Sequence, residues 1–398
     1  MELSELTKKL KTLLGIDDVS EAHGKLLNIL SGDTDEFFTE WLEFCPDLTT
    51  DYLQPIFQYY MADRKEKMQD YTPKTLAEAL CKIAGVQNGG KVYDMCAGSG
   101  ALTIQAWNIN KNCEFICQEF DERVIPFLLF NLAMRNISAT VIHGDVLSEK
   151  QFKAYRIEKG ERYSRVFEID TPINISVDIC ISNPPYNMKF SLPPFSALNE
   201  RYRYGLPPES NANYAFISAA IQSSECAALI LPTGVLSTEN QSEKIIREEM
   251  VKNNLVDTVV IAPDKMFEAT SIGTCILSFK KERQTATVAM VDMRQTYTEE
   301  TRAQNGQFGG SSHENRTYRK TFKTFSDNDL EKMLDVIEKR EKIDEFSAFP
   351  NIEEIKQNDF ILIPSRYVSF SQKEAVHREY SDIMKDINRI IAEKILAN

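Results

Sequence analysis

The sequence predicts an α/β protein, a doubly wound and mostly parallel sheet with an N-terminal helical domain before it and a C-terminal helical tail after it. Three observations carry that expectation. Beyond Thr72-Pro73, short β-type runs alternate with helical patterns, as a parallel sheet with crossover helices requires. One run, Val92-Tyr93-Asp94, passes straight into a glycine turn and then a helix. Another, Ile179-Cys180-Ile181-Ser182, breaks off at Asn183-Pro184-Pro185-Tyr186.

Taken in order, Leu3, Leu6, Leu10, Leu13 and Leu14, then Leu26, Leu27 and Leu30, then Phe37, Phe38, Trp41 and Leu42 recur at helical spacing. Gly15, Gly32 and Pro46 punctuate them, so residues 1–70 are expected to form the helical domain. Strands are expected at Lys91–Tyr93, Glu114–Cys117, Thr140–Ile142, Val177–Ile181, Ala227–Leu231, Thr258–Ile261, Thr274–Phe279 and Thr287–Val291, making a catalytic domain of residues 71–295. Such sheets bind ligands at the carboxyl ends of their strands. The polar, glycine-bearing residues 296–326 read as a linker or loop. Ser326 is placed to cap a helix through Leu330, Met333, Leu334 and Ile337, and residues 327–398 read as a helical region. In its tail Val376, Tyr380, Ile383, Ile387 and Ile390 form a seam, suited either to a partner helix or to docking on the chain's own domain.

The 398 residues carry 59 acidic and 46 basic side chains, a net charge of −13. That balance argues against free-standing binding to duplex DNA, which needs clustered Lys and Arg. The longest apolar runs, Ile125 to Phe130 and Cys226 to Leu231, fall far short of the roughly 20 residues that span a bilayer. With acids in Met1 to Glu5 where a signal peptide has bases, no membrane span and a cytoplasmic location are expected. Eight cysteines without a C-x-x-C pair, and His23, His143, His313 and His377 far apart, point to buried free thiols and to no metal site.

The chemistry sits at four strand ends. In Asp94-Met95-Cys96-Ala97-Gly98-Ser99-Gly100 the glycines let backbone approach a ligand closely, and the following helix offers its N-terminal amides to an anionic group. The third glycine of the dinucleotide fingerprint is missing, which disfavours a nicotinamide enzyme. Glu119 ends the next run, nineteen residues after Gly100, where a carboxylate can accept from both ribose hydroxyls of an adenosine-containing cofactor; a solvated strand-end acid is the plainer alternative. Asp145 closes a third run and could accept from an adenine amino group or merely close its own turn. The prolines of Asn183-Pro184-Pro185-Tyr186 hold the Asn183 carboxamide and the Pro184 carbonyl as a rigid pair of acceptors. An amino group between them loses the conjugation of its lone pair with its ring and becomes a better nucleophile, while Tyr186 gives a flat face for stacking. In isolation such a motif also fits a structural turn.

This constellation resembles the S-adenosylmethionine-dependent amino methyltransferases, and among them the N6-adenine DNA methyltransferases. The resemblance implies a Rossmann-like methyltransferase sheet that transfers the methyl of S-adenosylmethionine to the amino group of a flipped adenine. It implies that Tyr71, Thr72 and Pro73 touch the methionine part of the cofactor, that Asp94, Ala97, Gly98, Ser99 and Gly100 surround it, that Glu119 holds the ribose and that Asp145 reads the adenine. It places Asn183 and Pro184 on the target amino group, with Pro185 fixing their backbone and Tyr186 stacking on the base. Phe267, in Lys265-Met266-Phe267, matches the second aromatic of such a sandwich, and Phe190 competes for that place. Asp359-Phe360-Ile361-Leu362 and Ser365-Arg366-Tyr367-Val368 look like the end of the modification subunits of type I restriction–modification systems. Two departures stand out: the glycine turn reads Met-Cys-Ala-Gly-Ser-Gly where those subunits commonly have Pro-Ala-Cys-Gly-Ser-Gly, and the chain is shorter than most of them.

Protein-glutamine and RNA amino methyltransferases use the same Asn-Pro-Pro-Tyr chemistry and form the alternative reading. Basic and aromatic residues at Arg201-Tyr202-Arg203-Tyr204, and from Arg316 to Lys323, could touch DNA or be solvated loops. With little room left for target recognition, the expected partners are DNA, a separate specificity subunit and a restriction subunit.

Overall fold

The computed structural model describes residues 3–32, 34–61, 72–267, 272–305 and 317–369, together with residue 384. Four helices open the chain: α1 (Leu3–Leu14), α2 (Ala22–Leu30), α3 (Asp35–Phe44) and α4 (Gln54–Tyr60). In α1 the buried side chains are Leu3, Leu6, Thr7, Leu10 and Leu14, the apolar stripe expected of a helix with one face on a core. Then come α5 (Lys74–Ala84), β1 (Lys91–Asp94), α6 (Ala101–Ile109), β2 (Glu114–Glu119), α7 (Ile125–Met134), β3 (Ala139–Asp145), β4 (Lys150–Glu158), β5 (Arg165–Ile169) and β6 (Val177–Ser182). The second half holds α8 (Asn213–Ser223), β7 (Ser224–Pro232), α9 (Gln241–Lys252), β8 (Val256–Ile261), β9 (Thr274–Lys280), β10 (Ala289–Asp292), β11 (Thr298–Asn305), β12 (Thr317–Thr324), α10 (Asp327–Lys339), β13 (Ser347–Ala348) and α11 (Ile352–Gln357).

Eleven strands make one sheet in the order β13-β10-β8-β9-β7-β6-β1-β2-β3-β4-β5. Its centre, from β7 through β6, β1 and β2 to β3, is parallel throughout. These strands are covered on both faces, so they read as apolar runs rather than as alternation. From β1 the chain winds through β2 and β3, then returns to lay β6 on the other side of β1. That reversal opens a crevice at the carboxyl ends of β1 and β6, where ligands of such sheets bind.

The N-terminal helices and the sheet share a core. Every side chain of α7 is buried, and Phe130 on it meets Phe38 and Trp41 edge-on at centroid distances of 5.2 and 5.7 Å. Phe127 meets Phe57 of α4 in the same way at 5.6 Å.

Three segments differ from expectation. Residues 296–326, read as a linker, contain the antiparallel hairpin β11–β12. Its strands, Thr-Glu-Glu-Thr-Arg-Ala-Gln-Asn and Thr-Tyr-Arg-Lys-Thr-Phe-Lys-Thr, lack the apolar alternation of a half-buried strand, and main-chain pairing forms it. The hairpin β4–β5 extends the sheet beyond β3. The region after residue 327 is not purely helical, because β13 pairs with β10 at the far edge. Its first helix does start at Ser326, whose hydroxyl accepts from the Asp329 amide while Asp329 accepts from the Ser326 amide. Further on, the Phe360 carbonyl accepts from Arg247 Nε at 2.9 Å and the Leu362 amide donates to Leu236, fixing that segment against α9. The seam from Val376 to Ile390 lies outside the described residues, apart from residue 384.

Candidate active site at the carboxyl ends of the central strands

β1 ends at Asp94 and the chain turns through Met95 to Gly100 into α6. Neighbouring strands stitch the turn in place: the Met95 amide donates to Ile181 at 3.1 Å and the Ala97 amide to Gln118 at 2.9 Å. Gly98 and Gly100 have φ of 54° and 101°, left-handed values that favour glycine. A Cβ on Gly100 would stand 3.0 Å from Leu128 Cδ1, so the turn packs tightly under its helix. Buried Asp94 accepts from the Thr103 hydroxyl at 2.7 Å and the Thr103 amide at 3.2 Å, both through Oδ2. Its Oδ1 has no hydrogen-bond partner among the described residues. Burial pushes this carboxyl up to about 7, against the two Thr103 bonds.

Glu119 ends β2 beside the turn, with Oε2 accepting from the Gly98 amide at 2.9 Å and Oε1 from the Asp121 amide at 2.8 Å. Burial raises its pKa and these backbone donors oppose the rise. Asp145, at the end of β3, accepts from the Leu147 amide at 2.9 Å and from the Ser148 hydroxyl at 2.6 Å. The turn-closing alternative is therefore real for Asp145, and its carboxylate still stands on the strand next to Glu119.

Sequence reasoning missed what holds the turn from behind. Ser99 donates to buried Asp51 at 2.6 Å, and Asn131 on α7 donates to both Asp51 and the Ser99 carbonyl at 2.8 Å. Arg135 donates to Asn131 Oδ1 and to the Leu48 and Thr50 carbonyls. Burial raises the Asp51 pKa, with the Ser99 bond and the Arg135 charge opposing. The partners lie 48 and 80 positions away in sequence, and the local sign was only an aspartate shortly before α4, where it accepts from the Leu53 and Gln54 amides.

On the other side of β1, Asn183 ends β6 with both ends of its carboxamide engaged. Nδ2 donates to Thr72 Oγ1 at 2.9 Å, and Oδ1 accepts from the Tyr186 hydroxyl at 2.6 Å. Pro184 is buried and Pro185 half-buried. Pro73 caps the start of α5, so Thr72 is held where that helix begins. Tyr71 lies outside the described residues. The ring of Phe267 meets that of Tyr186 at 6.3 Å and 76°, edge-on rather than as two parallel plates. Phe190 instead packs, partly buried, against the cluster on the α8 side of the sheet. The hairpin β11–β12 reaches this side too: Lys323 pairs with Asp264, its amide donates to Lys265, and Thr324 shares a hydrogen bond with Thr75 at 2.9 Å.

The basic clusters are less free than their sequence suggests. Arg201 donates to the Val146 carbonyl at 2.7 Å and to Gln222 at 3.0 Å, and pairs with Glu149 at 3.2 Å, while Tyr202 is buried. Arg203 is exposed, its guanidinium 4.8 Å from the centre of the Tyr204 ring. In the second cluster Phe322 is buried. All eight cysteines are unbonded, six of them buried. Among the described residues no cluster of His, Cys, Asp and Glu could hold a metal ion, and no helix is long and apolar enough to cross a membrane.

A sheet that reverses between β1 and β6, with a glycine turn, two strand-end carboxylates and Asn-Pro-Pro-Tyr in sequence along its edge, has the architecture of the S-adenosylmethionine-dependent methyltransferases. The chain belongs to the N-6 DNA Methylase family, which it matches over residues 46–375. It is 26% identical over 369 residues to the type I restriction enzyme HindI methylase subunit of Haemophilus influenzae, covering 86% of this chain and 74% of that one. The MpnII methylase subunit of Mycoplasma pneumoniae is 24% identical over 403 residues, covering 97% of this chain and 65% of that one. The solved structure of a type I restriction-modification methyltransferase subunit from Streptococcus thermophilus superposes with a TM-score of 0.65 at 22% identity, covering 92% of this chain and 80% of that chain.

The residues present fit S-adenosylmethionine. Buried Asp94 Oδ1 is an acceptor without a donor among the described residues, suited to a cationic amino group, and Gly98, at φ 54°, puts no side chain on the turn.

Proposed function

We propose that this chain methylates the N6 amino group of adenine in DNA as the modification subunit of a type I restriction–modification assembly. The observation that carries the reading is the Asn183 carboxamide, fixed at the end of β6 beside the glycine turn with Tyr186 and Phe267 next to it. S-adenosylmethionine supplies an electrophilic methyl group. Asp94, Ala97, Gly98, Ser99 and Gly100, with Tyr71, Thr72 and Pro73, would hold its methionine end, Glu119 its ribose and Asp145 its adenine.

The target adenine rotates out of the duplex and lies against Tyr186 and Phe267. Asn183 Oδ1 exchanges the Tyr186 hydroxyl for one amino hydrogen, and the Pro184 carbonyl accepts the other. Thr72 keeps the Nδ2 end of the carboxamide turned away, so the acceptor end faces the target. Freed from conjugation, the nitrogen lone pair would form the new N–C bond in line as the methyl group's bond to the cofactor sulfur breaks and its electron pair stays on sulfur, and the nitrogen would then release a proton to solvent. The phosphate grip comes mainly from a separate specificity subunit, in keeping with a net charge of −13, and a restriction subunit completes the assembly.

Incubation with methyl-labelled S-adenosylmethionine and a mixture of host DNA, RNA and protein tests the substrate class. Label in the DNA fraction is expected. Label confined to protein would favour glutamine methylation, and label confined to RNA the other alternative. The DNA reading is preferred because the family match spans most of the chain.

A further inference from the structure

The loop that leaves Tyr186 carries an apolar tip that no described residue covers. Its two arms are zipped together: Asn187 and Asn213 exchange hydrogen bonds at 3.0 and 2.9 Å, the Ala212 amide donates to Met188 at 2.8 Å, and the Phe190 amide donates to Glu209 at 3.0 Å. Beyond Pro193-Pro194 the chain makes a single 3₁₀ turn (Ser196–Leu198). Phe195 is 83% exposed and Leu198 84% exposed. Phe195 caps that turn and Leu198 ends it.

This tip is built. Phe195 sits at φ 63°, a left-handed conformation that costs a bulky residue energy and persists only when its surroundings impose it. The Ser196 hydroxyl donates to Pro193 at 2.6 Å, and the Leu198 amide donates to Phe195 at 2.9 Å. Asn199 donates to Glu149 at 3.1 Å and Arg201 to Val146 at 2.7 Å, anchoring the base of the turn to the strand end that carries Asp145. In a chain of net charge −13, residues 187–212 hold Lys189, Arg201 and Arg203 against Glu200 and Glu209.

We infer that Phe195 and Leu198 form a wedge that enters the DNA duplex and occupies the space left by the flipped adenine. Extruding a base removes its pairing and exposes two stacking faces, and apolar side chains inserted between base steps replace that contact. The tip is apolar, hydrogen-bonded within its turn and carried on arms that begin beside Tyr186, with exposed Lys189 and Arg203 for the flanking phosphates. The inference rests on the DNA reading above.

The test uses the native assembly and duplexes containing the adenine it methylates. One duplex has that adenine paired with thymine, and the other has an abasic site opposite it, so that little pairing opposes extrusion. Wild type methylating both establishes the DNA reading independently. Phe195→Ala with Leu198→Ala is expected to slow methylation of the paired duplex about tenfold or more and to recover most of that loss on the abasic duplex. Phe195→Trp, which keeps a wedge, should stay near wild type on both. Equal losses on the two duplexes would mark the tip as structural or as a protein contact, and no loss on the paired duplex would mark it as idle; either result overturns the inference.

Discussion

The two halves of the crevice differ in how finished they are. On the proposed cofactor side most of the polar atoms already have partners: Glu119 on the Gly98 amide, Asp145 on its own turn, Ser99 on Asp51, and Asp94 on Thr103 through Oδ2, with Oδ1 left open among the described residues. On the target side the residues occupy one another. Tyr186 donates to Asn183 Oδ1, the acceptor proposed for the target amino group, and Phe267 leans edge-on against Tyr186. The difference teaches that the cofactor half is preorganised, whereas the target half must exchange internal contacts for substrate contacts.

The comparison breaks most visibly at Asn183. Replacing it by alanine should lower turnover about 10²–10³-fold, the scale of losing one preorganised polar group at a reacting centre, while calorimetry finds cofactor affinity within a few-fold of wild type. Gly100→Ala attacks the other half. The new Cβ meets Leu128 at 3.0 Å and φ is 101°, so cofactor affinity should fall about tenfold and stability by about 1–2 kcal/mol, read by titration and thermal melting. Thr72→Val leaves Asn183 Nδ2 without that acceptor. It should reduce kcat about fivefold with little change in the KM for cofactor, and Thr72→Ser should restore it.

A last effect is on pH. Because burial holds Asp94 up to about 7, its carboxyl is protonated below that pH and ionised above it. A cationic cofactor favours the ionised form, so affinity should rise about threefold to tenfold between pH 6 and 8, and Asp94→Asn should flatten that slope. The same shift works against the empty protein. Its folded pKa lies above the unfolded value of 3.8, so the Asp94 contribution to stability is full below pH 4 and is lost as pH rises through 7.

The sheet centre and the four strand ends were legible because parallel, doubly covered strands are written as short apolar runs, and because glycine and proline mark the turns where chemistry happens. Asn183 follows β6 and Glu119 ends β2, the strands that flank β1, and the ring of Phe267 contacts that of Tyr186. What stayed illegible depends on distance or on polarity. Asp51 announces nothing until α7 brings Asn131 to it. The hairpin β11–β12 shows no alternation because main-chain bonds, together with pairs such as Glu299 opposite Lys323, form it. β4 did carry a short signal, in buried Tyr155 and Ile157 on either side of exposed Arg156. Phe195 and Leu198 look like ordinary apolar residues in sequence, and only their exposure makes them informative.

The acidic balance that argued against unaided DNA binding is in keeping with the proposal that a separate subunit supplies most of the grip on DNA. The most direct measurement is the identity of the methylated nucleoside. DNA treated with the native assembly and S-adenosylmethionine is digested and separated, with mass spectrometry on the products. N6-methyldeoxyadenosine is predicted, and it should be absent with Asn183→Ala. Methylation of cytosine, or DNA left unmodified while wild-type protein binds the cofactor, would contradict the account.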